Sequence, residues 1–148
     1  MKWETKTIED FTLATTELLQ IISDRYTQQG IDTGCVVCLH GDLGAGKTTM
    51  TQIIAGQLGV ADSIQSPTFV IKKMYSTRSE LFKQLIHMDA YRLEGEENLD
   101  VLRLDEDFKN PNTLTIIEWP EMIEKIIPKT IVTIRIEYAG EGRVIELK

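Results

Sequence analysis

The amino-acid sequence predicts an α/β fold in which a mostly parallel sheet carries an antiparallel C-terminal hairpin. Helical patterns and short apolar segments alternate through the first part of the chain, and Cys35–His40 is an apolar strand between two of these helices. The last two apolar segments are joined by the turn Ala139–Gly142, which is typical of a hairpin. With 148 residues, the chain has the size of one ordinary domain, so we expect residues 1–148 to form a single domain.

The sequence predicts its first helix from Thr7 to about Gln29, because apolar residues recur there at helical spacing and Gly30 follows. Thr7–Asp10 is close to a capping box, which is typical of a helix start. A second helix is predicted over Lys47–Leu58, where Gly59 would end it. A further helix begins at Trp119–Met122, with a proline in its first turn, and stops before Pro128.

The remaining apolar segments predict strands. These are Phe69–Tyr75, Lys83–Asp89, Leu114–Glu118, Ile131–Glu137 and Val144–Leu147. Between Lys83–Asp89 and Leu114–Glu118 lies the acidic segment Arg92–Asn112, whose apolar spacing predicts one or two short helices.

Charge and hydropathy exclude several classes of protein. The chain has 16 basic and 23 acidic residues, a formal net charge of −7, and no cluster of Lys and Arg. This charge pattern lacks the basic surface of an independent nucleic-acid binder, so we expect contact with RNA only through a partner. No segment approaches the roughly 20 apolar residues of a membrane span, and the charged N-terminus is unlike a signal peptide. We therefore expect a cytoplasmic protein with no membrane association.

Cys35 and Cys38 have the C-x-x-C spacing of some metal and disulfide sites, but they lie within a predicted buried strand. Residues three apart in a strand point to opposite faces, so the two thiols diverge. We expect both cysteines to serve packing.

The segment Gly41–Thr48 reads Gly-Asp-Leu-Gly-Ala-Gly-Lys-Thr and matches the phosphate-loop pattern G-x-x-x-x-G-K-[ST]. Small residues let backbone N–H groups turn toward the phosphates, while the start of the following helix adds partial positive charge. Lys47 would reach the β- and γ-phosphates, and Thr48 would ligate Mg²⁺. A structural glycine-rich turn is the alternative, but the strand before and the helix after favour a phosphate loop and a P-loop NTPase-like three-layer fold. The predicted nucleotide contacts are Asp42, Leu43, Gly44, Ala45, Gly46, Lys47, Thr48 and Thr49.

Two predicted strands end in acids, Asp89 and Glu118. Because the carboxyl ends of parallel strands meet at one edge of a sheet, both acids should lie beside the loop. Asp89, the shorter acid, suits Mg²⁺ coordination, and Glu118 has the reach to orient or activate water. Either acid alone could instead cap the next turn, but two that converge on a phosphate loop favour a functional role.

Four further residues are weaker candidates. Ser66 and Thr68 lie on a Ser-Pro turn that suits a switch-like role near Mg²⁺ or the γ-phosphate, although a plain turn is equally compatible with the residues. Trp119 follows Glu118 and would stack on a base or report the nucleotide state, whereas packing is the more common role of such a Trp. Arg92 would stabilise transferred charge or pair with the acidic segment beyond it, and the sequence does not rank the two.

Four motifs stand together in this chain: His40–Thr48, Ser66–Phe69, His87–Leu93 and Ile117–Pro120. Together they resemble the TsaE family, once called YjeE. The resemblance implies a cytoplasmic ATPase of bacterial tRNA threonylcarbamoyladenosine synthesis that binds ATP or ADP with Mg²⁺ and acts with the TsaB–TsaD complex. In that family ATP hydrolysis is thought to reset the complex between turnovers, TsaD performs the transfer, and tRNA is contacted only indirectly, through the complex.

The same resemblance implies roles for individual residues. Lys47 and Thr48 hold phosphate and Mg²⁺, and Asp89 is the metal-side acid. Glu118 is the catalytic acid, Lys47 also takes part in catalysis, and Trp119 is a nucleotide-proximal aromatic. Ser66 and Thr68 take the switch-like positions. The chain departs from the family at Asp10-Phe11, where relatives often have Glu-Thr.

Two other functions compete with this interpretation. A small-molecule P-loop kinase needs an acceptor pocket and usually an arginine-bearing lid, whereas Arg78, Arg92 and Arg103 are scattered here. A nucleotide-dependent binding module with negligible turnover stays open, because no arginine is clearly an arginine finger and phosphoryl transfer without one is slow. We therefore expect weak hydrolysis by the protein alone and stimulation by a partner. The acidic segment Glu94–Asp107 is either a docking surface or a solvated face.

Overall fold

The computed structural model describes residues 1–64, 71–93, 102–129 and 132–148. Its elements are β1 (Lys2–Thr5), α1 (Ile8–Gln29), β2 (Cys35–His40), α2 (Lys47–Gln57), β3 (Lys72–Ser76), β4 (Gln84–Asp89), α3 (Leu104–Lys109), β5 (Thr113–Glu118), a 3₁₀ helix (Pro120–Ile126), β6 (Val132–Ala139) and β7 (Gly142–Leu147). Among the described residues, no helix combines the length and the apolar character needed to cross a membrane.

The strands form one seven-stranded mixed sheet in the order β1-β7-β6-β2-β5-β4-β3. The central strands β6, β2, β5 and β4 are parallel, β6 and β7 form an antiparallel hairpin, and β1 and β3 add antiparallel edges. The parallel centre and the C-terminal hairpin confirm the α/β prediction. The edge strand β1 was not predicted, because Lys2–Thr5 has little apolar alternation and depends on its pairing with β7.

Helix α1 begins as the sequence predicts. Thr7 is the N-cap, its hydroxyl accepts a bond of 3.1 Å from the Asp10 amide, and the Asp10 carboxylate accepts a bond of 3.0 Å from the Thr7 amide. A further bond from the Lys6 amide is the largest cause that lowers the pKa of Asp10. The helix ends before Gly30, whose φ of 88° suits glycine.

Both faces of the sheet are covered. Cys35, Val37 and Leu39 of β2 lie in the core that α1 and α2 pack against, whereas Val36 and Cys38 lie in a second core with residues of α3 and the 3₁₀ helix. The two cysteines are free and buried on opposite faces, and burial raises the pKa of each thiol to about 12. The prediction that they serve packing is confirmed.

Several boundaries differ from the predictions. The segment that follows Trp119 is a 3₁₀ helix with a kink at Ile123, not a regular α-helix. Residues 69, 70 and 131, which the predicted strands include, lie outside the described residues, as do residues 94–101 of the acidic segment. At the end of that segment, Asp107 is buried and pairs with Lys72 at 2.6 Å, so this acid does not belong to a solvated face.

Candidate functional site

A glycine-rich loop connects the end of β2 to the start of α2, as the sequence predicts. Gly44 has a φ of +78°, and a Cβ there would lie 2.8 Å from the Tyr138 hydroxyl. Gly46 has a φ of +118°, and a Cβ would lie 3.2 Å from the Phe11 ring. The left-handed backbone favours glycine at both positions, and the nearby Tyr138 and Phe11 side chains add to the cost of a Cβ.

Helix α2 begins at Lys47 directly behind the loop. Gly46 is its N-cap, and within the described parts of the chain no side chain caps this helix start. Uncapped amides at a helix N-terminus carry partial positive charge and attract anions. The loop and the helix start thus supply the donors that a phosphate group needs.

The Lys47 side chain is buried against this loop. Its ammonium group donates to the carbonyl oxygens of Gly41 and Asp42, the latter at 3.1 Å, and lies 4.3 Å from the ring centroid of Trp119. Burial lowers the pKa of Lys47, while nearby acids, led by Glu118, oppose this shift. The lysine is therefore held at the loop, among the acids of the site.

Asp89 and Glu118 lie side by side, since they are register partners at the ends of the parallel strands β4 and β5. The Thr48 hydroxyl lies 3.1 and 3.3 Å from the two Glu118 oxygens and donates to this carboxylate. The Asp89 carboxylate accepts a bond of 2.9 Å from the Tyr91 amide, and burial is the main cause that raises its pKa. The contacts thus put Glu118 next to the hydroxyl that is expected to ligate Mg²⁺, and the metal role of Asp89 stays a prediction.

His87 is part of this cluster and was missed in the sequence. Its Nε2 lies 2.8 Å from Glu118 Oε2, and both side chains are buried. Its Nδ1 has no hydrogen-bond partner within the described part of the chain. A carboxylate only accepts, so Nε2 carries the proton and donates to Glu118, leaving Nδ1 as an unpaired acceptor if the imidazole is neutral. The pairing of β4 with β5 could have indicated this contact. His87 lies two residues before Asp89, which is the register partner of Glu118, so His87 and Asp89 share one face of β4.

Trp119 extends the site from the other side. It has a left-handed φ of 56°, which is uncommon for a bulky residue, and its ring lies 4.9 Å from that of Tyr91. His40, for which the sequence analysis proposed no role, has its Nδ1 3.3 Å from the carboxylate of Glu121, two residues after Trp119. Trp119 lies close to the loop lysine, as expected for a nucleotide-proximal aromatic, and its contact with a nucleotide stays a prediction.

Most of the predicted site residues line one pocket of about 160 Å³. Its lining is Leu43, Gly44, Gly46, Lys47, Thr48, Thr49, Asp89, Glu118 and Trp119. A neighbouring pocket of about 230 Å³ shares Gly44, Gly46 and Thr49, and adds Ala45, Phe11 and parts of β1 and β7. Asp42 lines neither pocket and contributes its carbonyl to Lys47. Ser66 and Thr68 lie outside the described residues.

The donor set of the first pocket fits Mg²⁺. Within the part of the chain that the structure describes, no group of three or more His, Cys, Asp or Glu side chains forms a metal cage. Mg²⁺ usually keeps several waters and is held by one or two carboxylates together with the phosphates of a substrate. The Thr48 hydroxyl and the two carboxylates match that mode of binding.

The chain is similar to proteins of one family. A family model described as "Threonylcarbamoyl adenosine biosynthesis protein TsaE" matches residues 12–145, which include the loop and both acids. This chain belongs to the TsaE family. It is 33% identical to the tRNA threonylcarbamoyladenosine biosynthesis protein TsaE of Haemophilus influenzae, over 86% of this chain and 76% of the relative.

The TsaE protein of Bacillus subtilis is 42% identical over 73% of this chain, and that match spans 65% of the relative's length, just under two thirds. Among solved structures, the crystal structure of YdiB from Bacillus subtilis is similar, with a TM-score of 0.66 and 32% identity. That match covers 98% of this chain and 82% of the YdiB chain. The mixed sheet and its helices are therefore shared with a solved protein.

Proposed function

We propose that this protein is a Mg²⁺-dependent ATPase of bacterial tRNA threonylcarbamoyladenosine biosynthesis, with a P-loop NTPase-like fold. The observation that carries the proposal is one pocket that brings together the glycine-rich loop, the uncapped start of α2, and Thr48 bonded to Glu118. TsaE relatives named for that modification support the pathway.

Phosphate binding would use the loop and the helix start. The amides of the loop and the first turn of α2 would donate to the phosphate oxygens, and Lys47 would turn from its loop carbonyls to the β- and γ-phosphates. The neighbouring pocket, with the Phe11 ring on its wall, has room for the base. We expect Phe11 to offer the nucleotide an apolar contact there. We propose ATP and not GTP as the nucleotide because of the resemblance to the TsaE family.

The hydrolytic residues would be Glu118 and its neighbours. Glu118 accepts the Thr48 hydroxyl proton in a hydrogen bond, which leaves the oxygen lone pairs of Thr48 free to ligate a metal. Glu118 would also orient the attacking water, and Asp89 would hold Mg²⁺ directly or through water. When bound, Mg²⁺ neutralises charge on the transferred phosphoryl group.

A partner would be needed for efficient turnover. Among the described residues, no arginine lines the pocket that holds Thr48, Asp89 and Glu118. Phosphoryl transfer without such a cation is slow, so we propose weak hydrolysis alone and stimulation by the TsaB–TsaD complex. The net charge of −7 supports contact with tRNA through that complex and not by this chain alone.

Hydrolysis assays with and without TsaB–TsaD test the proposal. We expect slow ATP loss alone and faster loss with the complex, and Glu118→Ala should keep ATP binding but lose hydrolysis. No ATP loss in either condition would refute the proposal that this protein is an ATPase and would favour a nucleotide-dependent binding module. The pocket that holds Thr48, Asp89 and Glu118 has no arginine among its described residues, which also favours such a module. Equal loss of binding and hydrolysis in Glu118→Ala would refute its assigned role.

Direct titration with tRNA tests the partner requirement. We expect no tight binding by the protein alone, because its net charge is −7 and its sequence has no cluster of Lys and Arg. Tight binding that persists at physiological salt would contradict the proposal that tRNA is reached through the complex.

A further inference from the structure

The β6–β7 hairpin reaches back to the glycine-rich loop, and its Arg143 also lines the pocket proposed for the base. The Tyr138 hydroxyl donates to the Leu43 carbonyl at 3.0 Å. The Arg143 guanidinium donates from Nε to the Ala45 carbonyl at 2.8 Å, and from Nη2 to the Gly44 carbonyl at 3.4 Å. Three successive loop carbonyls are thus held by two hairpin side chains.

Lys47 completes this set from inside the loop, since its ammonium group donates to the carbonyls of Gly41 and Asp42. Every carbonyl from Gly41 to Ala45 therefore accepts a bond from a side chain. A loop that presents its amides to an anion must satisfy its carbonyls elsewhere, and the hairpin side chains do so for Leu43, Gly44 and Ala45 even when Lys47 turns to a phosphate.

Peptide geometry links these carbonyl contacts to amide direction. In a planar trans peptide the C=O of one residue and the N–H of the next point in opposite directions. The bond from Tyr138 to Leu43 therefore turns the Gly44 amide away from the hairpin, and the bond from Arg143 to Ala45 does the same for the Gly46 amide. Gly44 and Gly46 both line the pocket that holds Thr48 and Glu118.

The hairpin that carries Tyr138 and Arg143 is closely packed. A Cβ at Gly142 would lie 2.0 Å from the Thr5 carbonyl oxygen, so β7 packs closely on β1. The Arg143 guanidinium lies 4.2 Å from the Tyr138 ring centroid and also donates to the Gly142 carbonyl at 2.8 Å. Within the described residues no acid forms an ion pair with Arg143, so its full positive charge stays beside the loop.

We infer that Tyr138 and Arg143 are positioning residues for phosphate binding, which hold the glycine-rich loop by its carbonyls so that the Gly44 and Gly46 amides face the anion. The inference rests on the proposed function, because it concerns the same loop, and it assigns the C-terminal hairpin a part in ligand affinity. Arg143 is the stronger support, since it is charged and holds two loop carbonyls from a part-buried position, whereas Tyr138 is half exposed and holds one.

Binding of Mg²⁺·ADP to the full chain, measured by calorimetry, tests this role. Arg143→Gln should weaken ADP binding about tenfold or more, because bonds from a charged donor are lost. Arg143→Lys should weaken it severalfold, since one ammonium does not replace the guanidinium fork. Tyr138→Phe keeps the ring and should cost about threefold. Arg135→Gln is the matched control, because Arg135 lies on the same hairpin and pairs with Glu137.

A spectroscopic readout separates positioning from stability. On addition of ADP, the Gly44 and Gly46 amide resonances should shift in the wild type and in Arg135→Gln, and shift less in Arg143→Gln, with thermal unfolding followed for each variant. Wild-type affinity in Arg143→Lys, or equal losses in Arg143→Gln and Arg135→Gln, would show that charge alone acts and would overturn the positioning role. Wild-type protein that binds no ADP would overturn the proposed function itself.

Discussion

Replacing His87 by leucine tests the buried pair that holds Glu118. The change removes the donor of the 2.8 Å bond and leaves the Glu118 carboxylate with the Thr48 hydroxyl. A hydrogen bond to a charged group contributes about 1.5–3 kcal/mol to stability. For a chain of this size, a loss of about 2 kcal/mol lowers Tm by about 4–8 °C.

A double-mutant cycle isolates that bond. Urea unfolding of His87→Leu, Glu118→Leu and the double variant should give a coupling energy of about 1.5–3 kcal/mol between the two sites, because leucine at either position removes the bond. Thr115→Val is the control on the same strand, because the buried Thr115 hydroxyl has no hydrogen-bond partner in the described structure and its removal should be neutral or stabilising. Losses that add within about 0.5 kcal/mol would refute the pairing of His87 with Glu118.

Three further predictions follow from individual contacts. Burial raises the pKa of Asp89, so its charged form opposes folding at neutral pH. Asp89→Asn should therefore raise Tm at neutral pH, and the gain in Tm should shrink as the pH falls toward 3.8. In calorimetry the same variant should bind nucleotide more weakly in the presence of Mg²⁺. A lower Tm at neutral pH would contradict this. Thr7→Ala should lower the free energy of unfolding in urea by about 1 kcal/mol, and Thr7→Ser should not, because only the former removes the cap. Gly44→Ala should lower Tm, because its Cβ would lie 2.8 Å from the Tyr138 hydroxyl, and adding Tyr138→Phe should recover part of the loss; no recovery would show that the left-handed backbone sets the whole cost.

The parts of the site that were predictable follow from local rules. The loop pattern between a strand and a helix located the phosphate-binding candidate. The meeting of parallel strand ends brought Asp89 and Glu118 together, as their register confirms. The capping box and Gly30 fixed the bounds of α1 to within a residue.

The missed parts depend on contacts between distant segments. His87 and Glu118 meet only because β4 and β5 are neighbours in the sheet. Arg143 reaches a loop almost a hundred residues earlier because β6 lies beside β2 and β7 returns along it. The polar strand β1 has no apolar pattern and forms by pairing with β7. No local pattern encodes these neighbours.

Calorimetric titration of the protein with Mg²⁺·ATP tests most directly whether the glycine-rich loop binds a nucleotide. Lys47→Ala removes the loop ammonium, whereas Lys73→Ala, the control, removes a lysine of the same charge from β3, where it lies 5.5 Å from the Tyr75 ring. We predict saturable binding by the wild type and by Lys73→Ala, and much weaker binding by Lys47→Ala. Equal affinity in all three proteins, or no binding by the wild type, would contradict the account.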